Sequence, residues 1–311
     1  MPWIKLILET IDEHASELED LLIELGAAAV TLTDNANQPL FEPPLGTTPL
    51  WSQTRIEGLF DSTLDMDVVS NILQHYFKEE LPDQSLNYKI EALEDQEWEK
   101  VWMKDFKPML FGKRLWICPS WSENPENNAI NLSLDPGLAF GTGSHPTTAM
   151  CLEWLDSGPI EGKDVIDYGC GSGVLAIAAG LLGSRHVLAV DNDPQALLAT
   201  RDNCTKNNLE HTIGTYSPEE LQKLLNSKSS ATPFNRANRY ADVLIANILA
   251  GPLQNLANTL TNLVKPGGKI VLSGILIHQK EDVIAAYTSS CRLVQLREKE
   301  EWCLLELECN A

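Results

Sequence analysis

No stretch of this chain stays apolar long enough to span a bilayer, so no transmembrane helix and no membrane partner are expected. The basic segment and small-residue cleavage site of a secretory leader are also missing. The N-terminus runs straight into Trp3-Ile4-Lys5-Leu6-Ile7-Leu8, with acids soon after. The seven cysteines (Cys118, Cys151, Cys170, Cys204, Cys291, Cys303 and Cys309) are scattered, odd in number and never spaced C-x-x-C. That argues against a structural zinc site and for reduced thiols in a cytoplasmic protein. Positive charge is scarce: 23 Lys plus Arg face 44 Asp plus Glu, for a net charge of −21, of which residues 1–107 carry −15. Phosphate backbones repel such a surface, so direct binding of nucleic acid is not expected. The acidic N-terminal third either steers in a basic protein partner or serves only solubility.

At 311 residues the chain has room for two domains or one large one. Ile4, Leu6 and Leu8 alternate as on one strand face, and Leu18, Leu21, Leu22 and Leu25 recur at helical spacing, with Gly26 as the expected C-cap. Strands are predicted at Ala28–Thr33, Thr54–Phe60 and Leu86–Ala92, and a second helix around Val68–Phe77. The order strand, helix, strand, strand, helix, strand is that of a ferredoxin-like α+β domain over residues 1–93, a type widely used for recognition. Trp98, Val101, Trp102 and Phe106 share one face of a predicted linker helix over 94–107, which Pro108 stops. From 108 to 311 the pattern changes. Strands are predicted at Leu115–Cys118, Ala129–Leu134, Val165–Tyr168, His186–Asp191, Ala241–Ala246 and Lys269–Ser273, and helical runs separate the later ones. This is the signature of an α/β fold with a doubly wound, mostly parallel sheet. Arg292–Glu298 and Trp302–Glu308 should close it as an edge hairpin. Ser217–Arg239 reads as a helix followed by a surface insertion.

The run Asp167-Tyr168-Gly169-Cys170-Gly171-Ser172-Gly173 lies between a predicted strand and an alanine-rich helix. Packed glycines there let a backbone approach an adenosine cofactor and set the helix N-terminus against it. A dinucleotide fingerprint wants a sixth-position glycine, and the residue is Val174. Asp167 would oppose a pyrophosphate and suits a cation, such as the ammonium and sulfonium of S-adenosylmethionine. Cys170 reads as a small neutral filler. Asp191, at a strand end about twenty residues on, is placed to hold ribose hydroxyls, though Asp193 is the better cap for the helix starting at Pro194. Asn247 follows the next predicted strand, Ala241–Ala246. It either offers its carboxamide to a ligand or caps the helix ahead of Leu249–Leu263. In the second glycine-rich loop, Asp135–Thr148, Phe140 is an aromatic able to close over a ligand. His145 is either a proton shuttle or a helix cap.

Three motifs in order, Phe140-Gly141-Thr142-Gly143-Ser144-His145-Pro146-Thr147-Thr148, Asp167–Gly173 and Asn247-Ile248-Leu249-Ala250, resemble the PrmA family of class I S-adenosylmethionine-dependent methyltransferases, which act on ribosomal protein L11. The Trp98/Trp102/Phe106/Pro108 segment and Glu300-Glu301-Trp302 are similar to it too, while Ser217–Arg239 is longer than the family's usual connection. The resemblance implies S-adenosyl-L-methionine as cofactor, with Thr148, Gly169, Asp191 and Asn247 at cofactor-contact positions and no metal. It implies trimethylation of the N-terminal α-amine and of lysine ε-amines of the basic ribosomal protein, bound mainly by the N-terminal domain, with Asn247 positioning the amine. The alternatives are a methyltransferase for another protein or for RNA, and an NAD-dependent oxidoreductase on the same architecture. An Asn-Pro-Pro-aromatic run, which would favour bases or amides, is replaced here by Asn247-Ile248-Leu249-Ala250.

Overall fold

The structure, a computed structural model, describes residues 3–36, 38, 40, 47–81, 86–93, 107–122, 129–135, 145–226 and 241–310. Contacts divide the chain into two units, Met1–Asp105 and Phe106–Ala311. Residues 94–106 of the expected linker helix, 136–144 of the Phe140 loop and 227–240 of the insertion lie outside the described residues.

The first unit runs β1 (Trp3–Ile11), α1 (Asp12–Glu24), β2 (Ala29–Asp34), β3 (Gln53–Asp61), α2 (Met66–Glu80) and β4 (Tyr88–Leu93). Its sheet has the order β2-β3-β1-β4, antiparallel throughout, which is the ferredoxin-like arrangement. Alternation in β1 and β3 sends Leu6, Leu8, Ile56 and Phe60 to one face, where Leu18 and Leu22 of α1 and Val69, Leu73 and Phe77 of α2 cover them. Gly26 ends α1 with a φ of +97°. The Gly26 N–H donates to the Ile23 carbonyl and the Ala27 N–H to the Leu22 carbonyl, so two helix-end acceptors are satisfied in a Schellman turn.

The second unit opens with β5 (Met109–Phe111), β6 (Leu115–Cys118) and β7 (Ile130–Ser133). The sequence pattern placed the latter two in the main sheet and missed β5. They form instead a separate sheet, β5-β6-β7, whose Leu115, Ile117 and Leu132 pack into the core under the helices. Side-chain packing, rather than a backbone ladder to the main sheet, holds these short strands. There follow α3 (Pro146–Ser157), β8 (Asp164–Tyr168), α4 (Val174–Leu181), β9 (His186–Val190), α5 (Pro194–Lys206), β10 (Ile213–Tyr216), α6 (Pro218–Asn226) and β11 (Ala241–Asn247). The chain then continues through α7 (Ala250–Asn255), α8 (Ala257–Thr261), β12 (Val264–Leu276), α9 (Lys280–Tyr287), β13 (Cys291–Lys299) and β14 (Trp302–Cys309). The expected single helix from Leu249 is thus two short ones.

The main sheet has the order β10-β9-β8-β11-β12-β14-β13. Its first five strands are parallel, and the β13–β14 hairpin closes one edge with β14 antiparallel to β12. Adjacent residues of the central strands enter opposite cores. Val165, Val187, Val243 and Ile245 meet α3 and α4, while Ile166, Leu188, Leu244 and Ala246 meet α7, α8 and α9. That two-sided burial is why these strands read as continuous apolar runs. The order reverses between β8 and β11, so their carboxyl ends, Tyr168 and Asn247, flank the crevice where doubly wound folds take ligands.

Gly26→Ala forces a β-carbon into left-handed backbone with no steric neighbour closer than Leu64 Cδ1 at 4.0 Å. The expected loss is about 1 kcal/mol of stability in the first unit, read from the urea midpoint. An unchanged midpoint would contradict the Schellman turn.

Candidate functional site

After Tyr168 the chain turns on three glycines with positive φ: Gly169 (+83°), Gly171 (+53°) and Gly173 (+80°). The N–H groups of Gly169 and Cys170 both donate to the Val190 carbonyl, at 2.7 and 3.0 Å, which ties the loop to the end of β9. Gly173 sits against Thr200 of α5, and its αL conformation launches α4 at Val174. Cys170 is buried, its thiol pKa is pushed up by burial, and its sulfur lies 3.4 Å from Thr200 Oγ1. It therefore stays a neutral thiol and fills space.

The carboxylates divide their tasks. Asp167 is buried and does not line the cavity; its Oδ2 accepts from the Ala176 N–H in the first turn of α4 at 2.9 Å. It holds the helix start in place instead of facing a cationic ligand. Burial pushes its pKa up to about 7, and the nearby Asp191 charge adds to the shift. Asp191 does line the cavity, with Oδ2 accepting from Gly171 N at 2.9 Å and Oδ1 from Asp193 N at 3.0 Å. Each oxygen keeps a lone pair for a hydroxyl donor. Asp193, not Asp191, caps α5 by accepting from Gln195 N at 2.8 Å.

Asn247 ends β11, and α7 is preceded by Leu249 with no side-chain cap, so the capping role does not apply. Asn247 Nδ2 donates to Thr148 Oγ1 at 3.1 Å. Thr148 is buried in the first turn of α3 and stands behind Asn247 rather than in the cavity lining. His145 caps α3: its Nδ1 accepts from Thr147 N at 3.4 Å and lies 2.8 Å from Thr147 Oγ1. Burial lowers its pKa. A neutral ring that accepts at Nδ1 carries its hydrogen on Nε2, so the capped form has no acceptor nitrogen left for proton shuttling.

These segments surround a cavity of about 700 Å³. Gly169, Asp191 and Asn247 line it together, as their sequence positions suggested. Tyr168, Leu249, Pro252 and Leu256 make much of its wall apolar, and Trp302 adds an indole packed edge-on to His145 at a centroid distance of 5.0 Å. Trp302 and Gly274 escaped the residue-by-residue reading. A glycine interrupting the strand pattern at Ser273-Gly274-Ile275 was the available signal for the second. Trp302 is distant along the chain from the other lining residues, and the β13–β14 hairpin at the sheet edge brings it here. Among the described residues Asp191 is the sole Asp or Glu in the lining, and no lysine or arginine is found there. A pyrophosphate would find no cation there, whereas a ligand with ammonium and sulfonium charge meets a carboxylate and apolar walls. The donor set therefore fits S-adenosylmethionine.

A family model described as ribosomal protein L11 methyltransferase (PrmA) matches residues 2–309. The chain is 47% identical over 304 residues to a ribosomal protein L11 methyltransferase of Aliivibrio fischeri (strain MJ11), covering 97% of this chain and 98% of the relative. It is 49% identical over 303 residues to the protein of that name from Pseudomonas aeruginosa (strain LESB58), covering 97% of each. Among solved structures, a ribosomal protein L11 methylase from Lactobacillus delbrueckii subsp. bulgaricus superposes with a TM-score of 0.55 at 26% identity, over 66% of this chain and 100% of the other.

The raised pKa of Asp167 has a signed consequence. The folded state holds a proton that the unfolded chain releases near pH 4, so this group's contribution is complete below about pH 4 and lost as pH rises to about 7. Asp167→Asn keeps an acceptor for Ala176 N without the titration. Its melting temperature relative to wild type should improve between about pH 4 and 7. Parallel curves would refute the assignment.

Proposed function

This chain belongs to the ribosomal protein L11 methyltransferase family, and from that premise we propose that it methylates amine nitrogens of ribosomal protein L11 with S-adenosylmethionine. The observation that carries the reading is the joint placement of Gly169, Asp191 and Asn247 on one cavity whose described lining has no lysine or arginine. When bound, the cofactor supplies a methyl carbon made electrophilic by its sulfonium, so the protein's tasks are alignment and a neutral amine.

Asp191 holds the ribose hydroxyls, and Gly169 keeps the loop close to the ligand. Thr148 fixes the Asn247 carboxamide by taking one Nδ2 hydrogen. The carboxamide oxygen and the other hydrogen are left to orient the cofactor and the incoming amine. Supplying the neutral amine sets the energetic problem. A lysine of pKa about 10.4 costs about 4.6 kcal/mol to deprotonate at pH 7, and an α-amine near 7.8 costs about 1 kcal/mol. Apolar walls at Leu249, Pro252 and Leu256 favour the neutral form by desolvation, and with His145 engaged as a cap, water takes the proton. Trimethylation of the α-amine and of lysines needs tolerance for a growing apolar cation. The Trp302 indole in the lining supports it by cation–π attraction.

The domain roles follow the same reading, with 1–93 recognising substrate, 94–107 linking, and 108–311 catalysing. The charge of −15 on residues 1–107 suits a basic ribosomal protein and disfavours RNA. No helix among the described residues is long and apolar enough to cross a membrane. The cytoplasm, where ribosomal proteins are made, is the matching compartment.

With labelled S-adenosylmethionine and purified ribosomal proteins, label should enter amines of L11. Label confined to RNA would overturn the substrate assignment. Asn247→Ala should keep the fold and lose about 100-fold in kcat, the scale of an ångström-level misplacement. Near wild-type transfer would remove Asn247 from the mechanism. If the acidic surface steers docking, kcat/KM for L11 should fall as salt rises from 50 to 300 mM, roughly tracking Debye screening.

A further inference from the structure

Ile248, between Asn247 and Leu249, meets two glycines from different elements. A β-carbon on Gly169, at the end of β8, would overlap the Ile248 Cγ2 methyl. A β-carbon on Gly274, inside β12, would lie 2.8 Å from the Ile248 carbonyl carbon and 3.1 Å from its nitrogen. Both glycines have positive φ, +83° and +82°. Gly274 lies where the register of β12 with β14 shifts, between Leu272 and Ile275. One glycine thus makes room for the Ile248 side chain and the other for its backbone. We infer that Ile248 is a positioning residue, clasped between the cofactor loop and the β12 irregularity so that the Asn247 carboxamide is held at a fixed distance from Gly169.

The inference rests on the methyl-transfer reading of this cavity. A single planar peptide joins Ile248 to Asn247, so a shift of the Ile248 backbone is passed on directly. Thr148 Oγ1 restrains the far end of the Asn247 side chain, and the clasp restrains its backbone. In-line transfer depends steeply on such alignment, whereas binding the adenosine and ribose parts does not. Ile248 is partly buried, packs against the core on the α7–α9 face of the sheet and also lines the cavity, so the Val variant, which keeps the Cγ2 contact, is the control for lost packing.

The test compares Ile248→Ala, which loses the Cγ2 methyl, with Ile248→Val, which keeps it. I248A should lose about 10- to 100-fold in kcat, while KM for S-adenosylmethionine stays within about threefold of wild type. I248V should transfer methyl at close to the wild-type rate. In the protein without cofactor, hydrogen–deuterium exchange over residues 244–250 should quicken in I248A and stay at the wild-type rate in I248V. If thermal melting shows I248A unfolded, Ile248→Leu takes its place, because it keeps the volume and removes the branch. Wild-type kcat in I248A, equal impairment of the two variants, or unchanged exchange would each overturn the clasp. A wild-type enzyme that moves no methyl to L11 would instead overturn the functional reading, and the exchange comparison would still decide the clasp.

Discussion

The turn at Gly169 is the constraint on which the site depends. Strand β8 has to end, redirect into α4 and leave room for a ligand within five residues. The Val190 carbonyl, accepting from two successive N–H groups, fixes where that turn sits. A side chain at Gly169 would collide with Ile248, so the same glycine also sets how closely the end of β11 can approach. Because β8 and β11 are hydrogen-bonded neighbours at the reversal of strand order, the cofactor loop and Asn247 are brought together by the sheet itself.

Electrostatics sorts the acids around this turn by access to solvent. Asp167 is buried against a helix start, where ionisation is opposed and structure is its task. Asp191 is a neighbour in space but opens onto the cavity, so its charge is available to a ligand. The sequence reading assigned the cation-attracting role to Asp167 because a carboxylate before the glycines argued against a pyrophosphate. The conclusion about the cofactor class stands, but it is carried by Asp191 and by a described lining without lysine or arginine.

Much of the architecture was legible because period and position agree in the relevant segments. Leu6 and Leu8 alternate, Asp193-Pro194 announces a helix start, and the charged turn at 299–301 announces a hairpin, each through forces acting over a few residues. The short sheet β5-β6-β7 was misplaced because three or four apolar residues look the same in either sheet; what distinguishes them is the partner strand. His145 and Asn247 were ambiguous for a related reason, since a cap and a ligand-binding side chain have the same local chemistry.

The sequence alone determined the fold class, the glycine turn, the concentration of negative charge in the first third and, through three ordered motifs, the family. These depend on chain-local sterics, periodicity and composition. Tertiary structure decided which carboxylate faces the cavity, that His145 is spent on a helix end, that Thr148 stands behind Asn247, and that Trp302 and Gly274 reach the site at all. Those outcomes depend on distances between residues far apart in the chain, and only the strand order and packing of the folded sheet set them.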